Sequence, residues 1–112
     1  TDASVDSPDY AAKVAAAIVA KDADLGIVMC GTGIGISIAA NKIKGIRCAH
    51  VTDLFSATMC REHNNANVLS LGGRITSPEN AALFTKTFLT TPFDSKNDRH
   101  SRRIDKIGKL ES

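Results

Sequence analysis

Residues 25–35 read LGIVMCGTGIG, an uncharged apolar run followed by glycines at every second position. A run so short and apolar fits a strand covered on both faces, the habit of parallel sheets. The glycines let the backbone take positive φ and gather N–H groups toward one point. The residues that follow read as a helix starting near Ile34 and ending before Gly45, and its unpaired N–H groups and dipole face the same place. Strand, glycine loop and helix in that order constrain the chain to an α/β fold with ligands at the carboxyl ends of its strands.

The rest of the chain repeats the alternation. Residues 9–23 are Ala-rich with apolar positions at helical spacing, and Pro8 can open that helix. Residues 46–51 and 67–72 read as two more strands. Asp53 is placed to cap the helix LFSATMCREHN between them. Residues 77–90 carry a strong helix start, with Ser77 as N-cap, Pro78 in the first turn and Glu79 in its positive field. Residues 91–100 read as a loop and 101–110 as a last helix, so that 94–112 closes a single domain of 112 residues. Only three strands are visible, as though an opening βαβ unit of roughly 30 residues or more were missing.

Composition excludes several classes. The net charge of +2 is too small to imply nucleic acid, and no aromatic residues interleave the basic cluster formed by Lys96, Arg99, Arg102, Arg103, Lys106 and Lys109. Three cysteines without paired spacing argue against a disulfide framework or a zinc site, and fit a reducing cytoplasm. No apolar run approaches the about 20 residues of a membrane span. The polar, acidic start TDASVDSPDY does not read as a secretory signal.

The glycine loop is neither of the two common nucleotide cradles. The dinucleotide fingerprint G-x-G-x-x-G fails because Ile36 or Ile38 stands at its sixth position, and no Gly-Lys-Ser/Thr follows to make a P-loop. Two readings of Cys30 remain. It is a small core residue beside a tight turn, or it is a thiol at the lip of an anion hole that favours its thiolate. In the second reading it can take a carbon-bound proton next to a carbonyl while N–H groups hold the enediolate. Cys48 and Cys60 sit among apolar neighbours and read as structural.

The stretches CGTGIGISIAANKIKGIR and REHNNANVLSLGGR resemble ribose-5-phosphate isomerase type B, a family that includes the isomerases of allose 6-phosphate and galactose 6-phosphate. The resemblance runs from about Asp6 to about Leu110. It implies a three-layer α/β/α Rossmann-like parallel sheet and an aldose–ketose isomerase of the pentose phosphate pathway, using no metal or cofactor. Within it, Cys30 matches the base. Gly31, Thr32, Gly33, Ile34 and Gly35 match the enediolate-binding loop, with the Thr32 hydroxyl near the reacting centre. His63 matches the ring-opening histidine, and Asn64 an amide that binds sugar oxygens. Without the motif, His63 would read as a cation at a helix C-terminus. Arg74, Arg99 and Arg103 match phosphate-holding arginines, the last two four residues apart and able to share one helix face. Arg102 falls on another face, and His100 receives no role. The family's site lies between subunits, so the partners expected are a phosphosugar and at least a second copy of the chain, with no nucleic acid and no membrane.

Two departures stand out. The family's opening strand, which ends in an Asp-His pair, is absent, so this chain reads as a fragment N-terminally truncated relative to the family. That strand would border residues 25–30, which are expected to show an open apolar edge. Ser7 stands where many members have a Tyr that lines the sugar site. A six-carbon sugar phosphate and a non-catalytic phosphosugar-binding module remain the alternative readings, and activity of the short chain alone is an open expectation.

Overall fold

The computed structural model describes residues 6–111. Three parallel strands, β1 (Gly26–Cys30), β2 (Cys48–His50) and β3 (Val68–Gly72), form one sheet in the order β1-β3-β2. Helices α1 (Ser7–Val19) and α2 (Ile34–Asn41) cover one face. Helices α3 (Leu54–Glu62) and α4 (Pro78–Thr90) cover the other. This is the expected three-layer Rossmann-like arrangement, and helix α5 (Asp98–Lys109) follows it.

The central strand explains the cohesion. β3 is buried along its whole length, and Leu69 and Leu71 meet Phe84 and Phe88 of α4 in one cluster. On the opposite face Val28 and Val68 pack against Ala11 and Ala15 of α1 and Ile36 and Ala40 of α2. Small alanines there let α1 approach the sheet closely. Caps fall where the sequence signals them. Asp53 accepts the Ser56 N–H at 2.8 Å, and Ser77 accepts the Asn80 N–H at 3.2 Å.

Several boundaries differ from expectation. α1 spans 7–19 rather than 9–23, because Lys21 turns left-handed (φ 64°) and its N–H bonds Ile18 O. α2 stops at Asn41, whose side chain bonds both the N–H and the C=O of Cys48. β2 keeps only three residues, since Arg47 N–H is taken by the Asn67 side chain at 2.7 Å. The last helix begins at Asp98, not Ser101, because Asn97 accepts the Arg99 N–H at 3.0 Å. Arg99 and His100 are therefore helical, and Arg99 and Arg103 stand one turn apart on α5, as anticipated.

The open edge is present. Among the described residues β1 pairs only with β3, and Ile27 and Met29 are exposed beside Leu89 of α4 in an apolar groove. No helix among the described residues is long and apolar enough to cross a membrane.

Candidate active site

Cys30 ends β1, and the chain turns at once into residues 31–33 before α2 begins. Gly33 caps α2 in the left-handed region (φ 79°), a conformation that costs a side-chain-bearing residue. From there its N–H reaches the Cys30 sulfur at 3.1 Å. The buried Ser70 hydroxyl donates to Gly33 O at 2.6 Å, and Thr32 Oγ1 accepts the Ile34 N–H at 3.2 Å. Gly72 has no room for a side chain, because a Cβ would lie 2.5 Å from Thr32 O. The loop is thus pinned against β3 by Ser70 and Gly72.

The electrostatics follow. Partial burial is the largest single influence on the Cys30 thiol and raises its pKa. The N–H groups of Ile36, Gly33 and Thr32 and the Thr32 hydroxyl outweigh it, and the net shift is downward. The other thiols go the opposite way. Burial, helped by nearby Cys60, pushes Cys48 up to about 12, and burial raises Cys60. Cys30 is the thiol built to ionise, and all three cysteines are free of disulfides.

Arg74 joins this loop. Its N–H bonds Gly31 O at 2.9 Å, and its side chain lies over Gly31, 3.4 Å from where a Cβ would sit. His50, at the end of β2, was not singled out by sequence reasoning. Its ring lies against Gly33, within 2.8–2.9 Å of a Cβ built there. The parallel register sets His50 beside Ser70, so the two grip the same glycine. A lone His in a short apolar run gives no signal of this, because it depends on strand register.

The remaining expected site residues gather elsewhere. His63 caps the C-terminus of α3, and Asn64 and Asn65 carry the chain to the start of β3. Asn65 is left-handed (φ 47°) and its carbonyl accepts two bonds from Arg47, while Arg61 bonds the Asn65 side chain and Ala66 O. This turn is a built structure, and it holds His63 half-buried and Asn64 exposed. The His63 ring stacks on His100 of α5, with centroids 4.3 Å apart and planes at 17°. Arg99 and Arg103 lie exposed on the same helix, as does Arg102.

Strand direction separates the two groups. Cys30, the glycine loop and Arg74 lie at the carboxyl end of the sheet, while His63 and Asn64 lie at its amino end. A five-residue strand spans about 13 Å, so one chain does not bring Cys30 to His63. The three arginines divide likewise, Arg74 from Arg99 and Arg103. Among the described residues no three His, Cys, Asp or Glu side chains cluster as metal ligands.

Known proteins share this sequence pattern and this fold. The sequence model of the family described as Ribose/Galactose Isomerase matches residues 1–107. Ribose-5-phosphate isomerase B of Escherichia coli is 41% identical over 106 residues, which cover 95% of this chain and 70% of that protein. The type B ribose 5-phosphate isomerase of Leishmania infantum superposes with a TM-score of 0.95 at 50% identity, covering 99% of this chain and 72% of that one. Ribose-5-phosphate isomerase B of Mycoplasma genitalium, solved with bound ribulose-5-phosphate, gives 0.90 at 43% identity, covering 98% and 72%. With a family model matched over nearly its whole length and solved relatives sharing its fold, the chain belongs to the ribose/galactose isomerase family.

Proposed function

We propose that this chain is an aldose–ketose isomerase that interconverts ribose 5-phosphate and ribulose 5-phosphate, the exchange of a pentose phosphate pathway. The observation that carries the reading is the Gly33 N–H directed at the Cys30 sulfur inside a glycine loop that lowers the thiol's pKa. The Cys30 thiolate takes the proton from C2 of the open-chain aldose. Electrons move into the carbonyl and give an enediolate, whose charge the N–H groups from Gly31 to Gly35 receive. The thiol then returns the proton to C1 while the O2 hydroxyl proton passes to O1, so that C1 carries the hydroxyl and C2 becomes the ketone. Nothing is oxidised or reduced overall, so no redox cofactor is required.

Ring opening precedes this step, and His63 is the residue proposed for it, since an imidazole can give and take protons near neutrality. Its place at the opposite end of the sheet supports a site shared between two copies, in which the partner subunit's His63 faces the Cys30 loop of this one. Asn64 then binds sugar oxygens. Arg99 and Arg103 hold the phosphate across the same interface, with Arg74 contributing from the loop side.

The test is conversion of ribose 5-phosphate by the 112-residue chain, with Cys30→Ala and Cys30→Ser alongside. Turnover lost in both variants supports the reading, and turnover equal in all three removes Cys30 as the base. The family's description also names galactose. Preferential turnover of a six-carbon sugar phosphate would therefore keep the chemistry and change the substrate. Phosphosugar binding with no turnover in any form would favour a binding module.

A further inference from the structure

His100 is a buried titratable residue that the reaction above leaves without a task. It is 9% exposed on a helix whose charged side chains face solvent. Its ring stacks on His63, and its Nε2 stands 3.9 Å from Asp94 Oδ2. That distance is beyond a hydrogen bond, so Asp94 acts on the ring as a nearby negative charge. Asp94 is itself tethered, because its N–H donates to Glu62 O at 2.9 Å, one residue before His63. The carboxylate, the buried ring and the half-exposed ring are thus built onto one frame at the end of α3.

We propose that His100 is a positioning residue for His63: its buried ring, anchored by α5 and flanked by Asp94, holds the His63 imidazole in the orientation that sugar-ring opening requires. The proposal rests on the isomerase reading given above. A half-exposed histidine at a helix end samples several rotamers, and each turnover would have to select one. A parallel ring 4.3 Å away removes most of that freedom before substrate arrives, because His63 cannot turn about its ring torsion without striking His100. His100 touches neither reacting carbon in this account and acts through His63.

Two substrates separate this role from packing or phosphate binding. Ribose 5-phosphate is a closed furanose and needs ring opening. Ribulose 5-phosphate has its C5 oxygen esterified and stays open, so deuterium exchange at its C1 from heavy water reports the Cys30 step alone. In His100→Ala, kcat for ribose 5-phosphate is expected to fall about tenfold or more, while KM and C1 exchange stay within about twofold. His100→Phe, which keeps a flat ring, should recover much of the loss. Imidazole NMR gives a second readout, in which the His63 ring signals shift in His100→Ala as the neighbouring ring current disappears.

Equal loss on both substrates would make His100 a packing residue, and a raised KM for both would make it a phosphate contact. Either result overturns the proposal, as does a His63 signal that does not move. A wild-type chain inert on both substrates defeats the isomerase reading itself, and this proposal with it.

Discussion

The backbone N–H of Gly33 points at the sulfur of Cys30 from 3.1 Å, and it does so because Gly33 is left-handed at the head of α2. A single glycine conformation therefore couples the turn of the chain to the ionisation of a thiol.

Thiol reactivity is the first consequence. The Cys30 pKa lies below its ordinary value of 9.0, while Cys48 and Cys60 lie above theirs. Iodoacetamide should modify Cys30 first, with a rate that rises through a midpoint below pH 9.0. The contacts that favour the thiolate belong to the folded state. Their stabilisation is complete above the ordinary thiol pKa and is lost as pH falls through the lowered one. Peptide mapping after partial alkylation checks the order, and equal labelling of all three cysteines would contradict it.

Substitution at Gly33 tests the turn itself. A Cβ there would stand 2.8–2.9 Å from the His50 ring and 2.9 Å from the Leu71 carbonyl carbon, at a φ that L-residues avoid. The His50 ring can swing away, since it is exposed, but the β3 backbone cannot. Gly33→Ala should cost about 1–2 kcal/mol from the left-handed conformation alone, with more from the clash. It should also raise the Cys30 alkylation midpoint by displacing the N–H donor. His50→Ala removes the movable half of the grip. It should leave the urea midpoint nearly unchanged while shifting the alkylation midpoint in the same direction.

How much of this was legible in the chain depends on how local each feature is. The strand, loop and helix around Cys30 could be read because an apolar run, alternating glycines and a helix start follow one another within eighteen residues, at 25–42. Ser77 and Asp53 could be read because a cap bonds a residue three positions on. The division of Arg74 from Arg99 and Arg103 could not, because it arises from the direction in which three strands run. His50 stayed hidden because only the register beside Ser70 sets it over Gly33. The start of α5 was missed because Asn97 lies in a polar stretch, SKNDRH, with no apolar periodicity to mark a helix.

The cap of α3 offers a stability measurement that leaves the glycine loop untouched. Asp53 accepts the Ser56 N–H through Oδ1 and the Ser56 hydroxyl through Oδ2, at 2.8 and 3.0 Å. It also places a negative charge at the positive end of the helix that ends beside His63. Asp53→Ala should lower unfolding free energy by about 1 kcal/mol, and Asp53→Asn by less, since the amide can still accept a hydrogen bond. Urea denaturation followed by circular dichroism reads both, and an unchanged midpoint in Asp53→Ala would remove the cap from the account of α3.

Among the described residues β1 pairs on one side only, and its outer edge makes the last prediction. Parallel sheets are ordinarily covered on both faces, yet Ile27 is 38% exposed and Met29 52% exposed beside Leu89. An unpaired strand with an apolar flank invites pairing with other chains. Met29→Lys puts a charge on that edge, one residue before the end of β1, and removes little buried area. It should therefore change stability by no more than about 0.5 kcal/mol while slowing the concentration-dependent growth of large species in light scattering. Ile38→Lys, on the exposed side of α2 away from this edge, is the matched control. If both variants slow growth equally, added charge alone explains the effect and the β1 edge is not the adhesive surface. If only Met29→Lys slows it, the open strand is where the molecules meet.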